Sequence, residues 1–261
     1  MELITSRNNE KIKYAVKLRD SSSFRKECGE YFIEGARLCS DAAKSGVEII
    51  TAYVTDNALR KYAEYFCDVE NACKNCFTVS EEVSEKMSDT KNPQGIFCVC
   101  KMLDKNINIG KIKNNKKYVA LDDISNPSNF GAICRTAEAL GVEGIIVGGG
   151  CDIYNPKVQR ASMGALFRLG VYECDKLSQV LSTLKGSGMK IYATVPDCDA
   201  LPITEADMSD GVVCVIGNEG NGVCEETKSV STALVTIPMK GRAESFNASA
   251  AASITMWEMM R

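Results

Sequence analysis

The chain has 261 residues, 45% of them hydrophobic and 25% charged, which suits one large globular domain or two small ones. It contains no histidine. Ser-His-Asp and Cys-His catalysis and histidine-based zinc sites are therefore excluded, and any general base is a carboxylate, lysine, tyrosine, cysteine or arginine. The formal net charge of −3 does not by itself indicate a nucleic-acid-binding protein.

Targeting and cysteine patterns both favour a reducing compartment. We predict neither a membrane span nor a signal peptide, because the chain has no run of eighteen apolar residues and begins with a charged stretch. The thirteen cysteines are odd in number and lie mostly in apolar strings, so disulfides are not expected. The C-x-x-C at Cys73 and Cys76 has no second pair at zinc-ribbon spacing and predicts a polar surface turn. The sequence thus predicts a cytoplasmic protein without a metal.

The N-terminal part, residues 1–100, predicts a small α/β unit. We predict helices over residues 11–19, 36–45 and 57–66, and strands over residues 31–33, 49–55 and 95–100. Gly46 ends the second of these helices. The lysine-rich and asparagine-rich stretch 101–117 has no clear period and predicts a basic linker.

The remaining part, residues 118–261, alternates short apolar runs with helical patterns. We predict strands over residues 118–122, 144–147, 191–195, 212–216 and 234–237, and helices over residues 132–140 and 247–260. Such alternation predicts a mostly parallel sheet covered on both faces. Ligands bind beyond the carboxyl ends of such strands, where the polar or glycine-rich segments 122–131, 217–222 and 238–247 fall. If they converge, they form one site.

Each of these three segments is weak evidence when taken alone. Asn126-Pro127 is an ordinary turn, and the 217–222 loop has the spacing G-x-x-G-x-G, which differs from the dinucleotide fingerprint. The third segment, Ile237-Pro-Met-Lys-Gly-Arg-Ala-Glu-Ser-Phe-Asn247, is typical of a loop followed by a helix cap. In this order and spacing, however, the three resemble the signature of the SpoU branch of the SPOUT RNA methyltransferases. The N-terminal hundred residues resemble an L30e-like RNA-binding domain, with Asn-Pro-Gln-Gly-Ile at 92–96 before its last strand.

The resemblance implies a fold, a cofactor and a set of site residues. The implied fold is α/β, with a C-terminal parallel sheet threaded into a trefoil knot and a small N-terminal α/β domain. The knot would bind S-adenosyl-L-methionine, and a homodimer would complete the active site. The family's catalytic positions fall on Asn129, Arg135, Glu219, Ser245 and Asn247. Its cofactor contacts fall on the backbone near Thr194, Gly217, Ile237 and Phe246, the last of which is more often leucine.

The function that the resemblance implies is methyl transfer to a ribose 2'-hydroxyl in a structured RNA. We expect 23S ribosomal RNA, because of the extra N-terminal domain, and we assign RNA selection to residues 1–100 and to the linker lysines Lys111, Lys113, Lys116 and Lys117. Arg135 either helps to remove the hydroxyl proton or only orients a phosphate. Alternative functions are a tRNA ribose methyltransferase, a non-catalytic RNA-binding assembly factor and, disfavoured by the glycine spacing, a nucleotide-dependent oxidoreductase.

Overall fold

The structure, a computed structural model, describes residues 1–104 and 109–261. It divides into two compact units. The first consists of residues 1–104 and 152–167, and the second of the rest of the described chain. Part of the predicted linker 101–117, including Lys105, lies outside the described residues. Its described remainder contains a 3-10 turn at Ile109–Lys111.

The first unit contains a mixed sheet. Its strands, within the described residues, are β1 (Glu2–Ile4), β2 (Glu30–Glu34), β3 (Ile49–Val54), β4 (Cys73–Val79) and β5 (Ile96–Lys101). They lie in the order β1-β4-β3-β5-β2, with β5 antiparallel to both of its neighbours and the other pairs parallel. The helices around it are α1 (Glu10–Asp20), α2 (Ser22–Cys28), α3 (Ala36–Lys44), α4 (Asp56–Lys61), α5 (Ala63–Ala72) and α6 (Glu81–Met87). Phe32 and Phe97 stack in its core at 5.8 Å between ring centroids.

Two predictions for this unit are wrong in detail. The helix predicted over residues 57–66 is two helices, because Tyr62 leaves the helical conformation with φ −127° and α5 starts anew at Ala63. The predicted turn at Cys73 and Cys76 is instead the strand β4, which pairs on both sides with β1 and β3. This segment forms a strand because backbone hydrogen bonds to two strands distant in the sequence stabilise it, although its own sequence does not indicate a strand.

The second unit contains a parallel sheet. Its strands, in the part of the chain that is described, are β6 (Lys117–Asp122), β7 (Gly144–Gly148), β8 (Gly170–Cys174), β9 (Lys190–Thr194), β10 (Leu201–Pro202), β11 (Val212–Gly217) and β12 (Ala233–Thr236). Their order is β10-β12-β9-β11-β6-β7-β8, and each pair of neighbours is parallel. The helices after β5 are α7 (Pro127–Leu140), α8 (Pro156–Ser162), α9 (Ala165–Arg168), α10 (Leu177–Gly186), α11 (Glu225–Val230) and α12 (Ala248–Met260).

The strand order determines where a site can form. Neighbouring strands β12, β9, β11 and β6 end at Thr236, Thr194, Gly217 and Asp122, so their carboxyl ends lie side by side at one edge of the sheet. The chain runs outward from β6 through β7 and β8 and then returns to the other side of β6. Ligands bind at such a reversal of strand order. The predicted α/β fold with a C-terminal parallel sheet is confirmed, and the implied knot stays a prediction.

The connection between β7 and β8 belongs to the first unit. Residues 152–167, with α8 and most of α9, pack with residues 1–104. Arg25, which is 3% exposed, donates from Nε to Asp152 at 2.9 Å. Arg160 donates to Glu34 at 2.8 Å and to Asp89 at 2.7 Å. Within the described ranges, no helix has the length and the apolar character that crossing a bilayer requires.

Candidate active site

Helix α7 begins five residues earlier than predicted because its N-terminus is capped. The side-chain oxygen of Asn126 accepts hydrogen bonds from the backbone N–H groups of Ser128 at 2.9 Å and Asn129 at 3.3 Å. Pro127 follows at the first helical position, where its fixed φ favours a helix start. The cap places Asn129 in the first turn, where its side chain is buried.

The carboxylate of Glu219 joins the loop after β11 to the loop after β6. Its Oε2 accepts from the backbone N–H of Ser125 at 3.2 Å, and its Oε1 accepts from the backbone N–H of Asn126 at 3.2 Å. The side-chain amide of Asn129 donates to the same Oε1 at 2.9 Å. One carboxylate therefore holds three donors from a single loop and helix start.

Asn247 brings the third segment into the same network. Its side-chain amide donates to Oδ1 of Asn129 at 3.1 Å. Its own Oδ1 accepts from the backbone N–H of Ser249 at 3.0 Å and so caps α12. The structure thus brings Asn129, Glu219 and Asn247, which are far apart in the sequence, into one hydrogen-bonded chain.

These contacts keep Glu219 ionised. Burial opposes ionisation, but hydrogen bonds from the Asn129 amide and from the backbone of Ser125 and Asn126 outweigh it, so the pKa of the Glu219 carboxyl lies below its ordinary value of 4.5. A carboxylate with three donors and a lowered pKa is a poor proton acceptor near neutral pH. Glu219 is therefore suited to fixing the site rather than to removing a proton.

A pocket that is partly open to solvent lies beside this network. It is lined by all four positions at which the resemblance places cofactor contacts, namely Thr194, Gly217, Ile237 and Phe246. Ser245 and Glu219 also line it. The hydroxyl oxygen of Thr194 is buried without a hydrogen-bond partner among the described residues. Such an atom is costly unless a ligand or water satisfies it, so the pocket has an open position for a polar ligand group.

Gly217 shapes one wall of the pocket by the absence of a side chain. A Cβ built on it would lie 2.2 Å from the backbone carbon of Gly222 and 2.2 Å from the backbone nitrogen of Val223. Any larger residue would force the 217–222 loop apart, since backbone atoms on both sides cannot move independently. The glycine therefore permits the close turn that brings Glu219 to Asn129.

The structure leaves Arg135 and Ser245 outside the hydrogen-bonded chain. Arg135 lies six residues after Asn129 on α7 and is exposed, and its side chain makes no hydrogen bond or ion pair with other described residues. Ser245 is exposed at the pocket wall and likewise has no described hydrogen-bond partner. Both side chains are thus accessible to a bound substrate.

Sequence reasoning missed two residues of the site. Asn126 was recognised only as part of a turn, although Asn-Pro before a helical pattern is a typical helix start. Asn218 was not singled out at all, and it makes hydrogen bonds both within its own turn and to the loop after β6. No local pattern indicates Asn218, because its partner Asp123 is 95 residues away.

Comparison with known proteins shows the family of the chain. The profile of the SpoU rRNA Methylase family matches residues 116–257, which is more than half of the chain. The chain belongs to this family. The profile of the MRM3-like substrate binding domain matches residues 9–98. The SpoU match spans all nine residues at which the resemblance places catalytic and cofactor contacts.

Three relatives match over almost the whole length of the chain. The 23S rRNA (guanosine(2553)-2'-O)-methyltransferase RlmP of Bacillus subtilis is 29% identical and covers 99% of each chain. The 23S rRNA (uridine(2479)-2'-O)-methyltransferase of Streptomyces viridochromogenes is 27% identical over 99% of this chain and 91% of its own. The AdoMet-bound rRNA methyltransferase structure from Sinorhizobium meliloti has a TM-score of 0.87 at 27% identity, covering 99% of this chain and 97% of its own.

Proposed function

We propose that the protein transfers a methyl group from S-adenosylmethionine to a ribose 2'-hydroxyl of 23S ribosomal RNA. The observation that carries the proposal is the hydrogen-bonded chain Glu219–Asn129–Asn247, which draws three separate segments together beside a pocket in a chain of the SpoU family. The full-length relatives named above act on 23S rRNA at ribose 2'-oxygens.

The residues around the pocket fit S-adenosylmethionine. A buried, unpartnered hydroxyl at Thr194 offers a hydrogen bond to a polar group, and Ile237 and Phe246 offer apolar surface to a flat base. The absence of a side chain on Gly217 lets the backbone of Gly222 and Val223 pack closely against it and so shapes the pocket wall. Once bound, the sulfonium cofactor supplies an electrophilic methyl group. The protein then has to hold the ribose and to promote loss of its hydroxyl proton.

We assign roles to the site residues from their exposure and contacts. Arg135 presents an exposed planar guanidinium, which suits bidentate binding of an RNA phosphate beside the reacting ribose. Two roles stay open for it: orienting that phosphate, or also accepting the proton. Ser245 lies at the pocket wall and contacts the ribose, while Asn129 and Asn247 hold the loops that shape the site. Glu219 keeps Asn129 in place.

Ribosomal RNA is favoured over tRNA because the similarity to 23S rRNA enzymes extends through the first unit. The two 23S rRNA relatives modify different nucleotides, a guanosine and a uridine. We propose that residues 1–100 and the linker select the target nucleotide. Because the proposed substrate is ribosomal RNA, we also propose that the protein is cytoplasmic.

The decisive experiment is transfer of labelled methyl from S-adenosylmethionine to 23S rRNA that lacks modifications, with an equal amount of unmodified tRNA in a parallel reaction. Products are mapped for 2'-O-methyl nucleotides. One methylated ribose in 23S rRNA is the expected result. Methylation of tRNA alone would make tRNA the substrate, and cofactor binding without transfer to either RNA would favour the assembly-factor alternative.

The linker lysines are expected to contribute unequally to RNA binding. Lys113 pairs with Glu143 at 3.0 Å, and Lys117 donates to the backbone oxygen of Met259 at 2.6 Å. Lys111 and Lys116 are exposed, and their side chains make no described hydrogen bond. Replacing Lys111 and Lys116 by glutamine should lessen the slope of log affinity against log salt by about 0.7–0.9 for each RNA phosphate that the variant no longer neutralises.

The matched control for this prediction is the Lys113→Gln/Lys117→Gln double variant, which changes the net charge equally. RNA affinity is measured by filter binding from low to moderate salt, and thermal unfolding checks that both variants fold. The control should retain a slope closer to that of the wild-type protein. Equal slopes for all three proteins would assign RNA binding to other residues.

A homodimer is also part of the proposal, supported by an exposed apolar face on α12. Trp257 is 63% exposed and Ile254 is 37% exposed, and they lie three residues apart on one side of the helix. Large exposed aromatic side chains are typical of interface centres. We expect Trp257→Glu to weaken self-association by about 10- to 100-fold.

Sedimentation velocity over a range of protein concentrations measures this effect. The control is Tyr65→Glu on α5, which introduces the same charge at another exposed aromatic residue, 39% exposed. The control should sediment as the wild-type protein does. Unchanged association of the Trp257 variant would place the interface elsewhere, and a monomeric wild-type protein would remove the dimer from the proposal.

A further inference from the structure

Asn218 connects two loops through the two ends of its amide. It follows β11 directly and precedes Glu219. Its Nδ2 donates to the backbone oxygen of Asp123 at 2.7 Å, to Oγ of Ser125 at 3.2 Å and to Oδ2 of Asp123 at 3.4 Å. Its Oδ1 accepts from the backbone N–H groups of Gly220 at 2.9 Å and Asn221 at 3.1 Å. The acceptor end thus shapes its own turn, whereas the donor end holds the loop after β6.

The loop that Asn218 holds starts from an unfavourable backbone conformation. Asp123 has φ +58°, the left-handed region that residues other than glycine rarely adopt. Its backbone N–H donates to the oxygen of Gly148 at 3.0 Å, and its backbone oxygen accepts from Asn218. Such a conformation persists only where surrounding contacts fix it. The Asn218 amide is the contact on the carbonyl side.

We propose that Asn218 is a positioning residue for methyl transfer, acting through the loop from Asp123 to Asn126. Asn218 fixes the beginning of this loop, and Glu219 fixes its end. The loop ends at Asn126, whose side chain caps α7. Helix α7 carries Asn129 and Arg135, so the orientation of the loop sets that of both residues. This inference rests on the proposed function, because the effect on Arg135 is measured through methyl transfer.

The substitution Asn218→Asp tests the donor end of the amide separately from its acceptor end. The carboxylate retains an acceptor for the N–H groups of Gly220 and Asn221, so the turn that lines the cofactor pocket is preserved. It removes the donor and places a carboxylate oxygen against both the backbone carbonyl and the side-chain carboxylate of Asp123, so the contact that fixes the loop becomes repulsive. We expect kcat to fall about 10- to 100-fold, the size of effect that small misplacements of reacting groups produce. Asn218 also lines the pocket, and because the acceptor end still holds the turn, the dissociation constant of S-adenosylmethionine should change much less than kcat.

The matched control is Asn221→Asp, which adds the same charge three residues away in the same turn. The Asn221 side chain has no described hydrogen bond, so kcat and cofactor affinity should stay near the wild-type values. A second readout is independent of activity. Hydrogen–deuterium exchange of residues 123–129 should be faster in the Asn218 variant than in the Asn221 variant, while exchange of residues 218–222 stays alike.

The outcomes separate this inference from the proposed function. Equal kcat and equal exchange of residues 123–129 in the two variants would overturn the positioning role. A parallel loss of kcat, cofactor affinity and thermal stability in the Asn218 variant would also overturn it, because the residue would then be a general structural element. An inactive wild-type protein contradicts the proposed function, and the exchange comparison still decides whether Asn218 holds the loop.

Discussion

Replacement of Arg135 by alanine is expected to lower kcat by about 10²- to 10³-fold, the cost typical of losing a group that stabilises the transition state. The side chain is exposed and makes no described hydrogen bond or ion pair within the protein, so the free energy of unfolding should change by less than about 0.5 kcal/mol. Methyl transfer to RNA and urea unfolding measure the two effects. The control is Lys176→Ala, which removes an exposed positive charge from the same unit.

The substitution Arg135→Lys distinguishes the two roles that stay open for this residue, phosphate orientation and proton removal. Lysine keeps the positive charge but lacks the planar fork that binds two phosphate oxygens at once. Bidentate orientation predicts that the lysine variant loses nearly as much activity as the alanine variant. Near-normal turnover of Arg135→Lys would contradict that role. Activity that rises with pH over the range in which the lysine amine loses its proton would favour proton removal by this side chain.

Glu219→Gln is expected to have the second largest effect. The glutamine amide has one acceptor and one donor group, so at least one of the three donors now facing Glu219 loses its partner and meets another donor. We expect kcat to fall by about tenfold or more, and stability to fall by about 1 kcal/mol, a value reduced because the carboxylate is exposed. Urea unfolding and methyl transfer are the measurements. Glu225→Gln, at an exposed carboxylate paired with Lys228, should change neither quantity measurably.

The pH dependence of this contribution has a definite sign. The pKa of Glu219 lies below 4.5 in the folded protein because its hydrogen bonds favour the charged form over the opposing effect of burial. The folded state therefore binds fewer protons than the unfolded chain, and the stabilisation is complete above pH 4.5 and is lost as pH falls through the folded pKa. The difference in unfolding free energy between wild type and Glu219→Gln should be constant from neutral pH to about pH 5 and shrink below it. A difference that grows on acidification would contradict the lowered pKa.

Local patterns predicted much of the fold. The apolar runs at 118–122 and 212–216 are strands within one residue of the prediction, because buried parallel strands carry a continuous apolar signal. The glycine stop after the helix ending at Leu140 was also predictable, since Gly141 adopts a left-handed conformation. The wrong secondary-structure predictions concern segments whose conformation depends on pairing with strands that are distant in the sequence. Cys73–Val79 has a polar start and becomes a strand only because β1 and β3 flank it.

The candidate site, like the fold, could be predicted only in part from local sequence. The motifs indicated which residues matter, and the parallel sheet indicated that their loops lie at one edge. The contacts themselves could not be predicted, because they join residues 90 and 118 positions apart and depend on strand order. Nothing in the local sequence says that Glu219 reaches Asn129 while the neighbouring Asn218 reaches Asp123.

The placement of residues 152–167 with the first unit limits how this protein can be divided or recombined. A fragment ending at residue 104 would lack the carboxylate of Asp152 and leave the buried Arg25 guanidinium without its ion-pair partner. Loss of one partner of a buried pair costs about 3–5 kcal/mol, a large share of the stability of a small domain. Glu34 and Asp89 would likewise be without Arg160. Grafting this unit onto another methyltransferase therefore requires transfer of two chain segments.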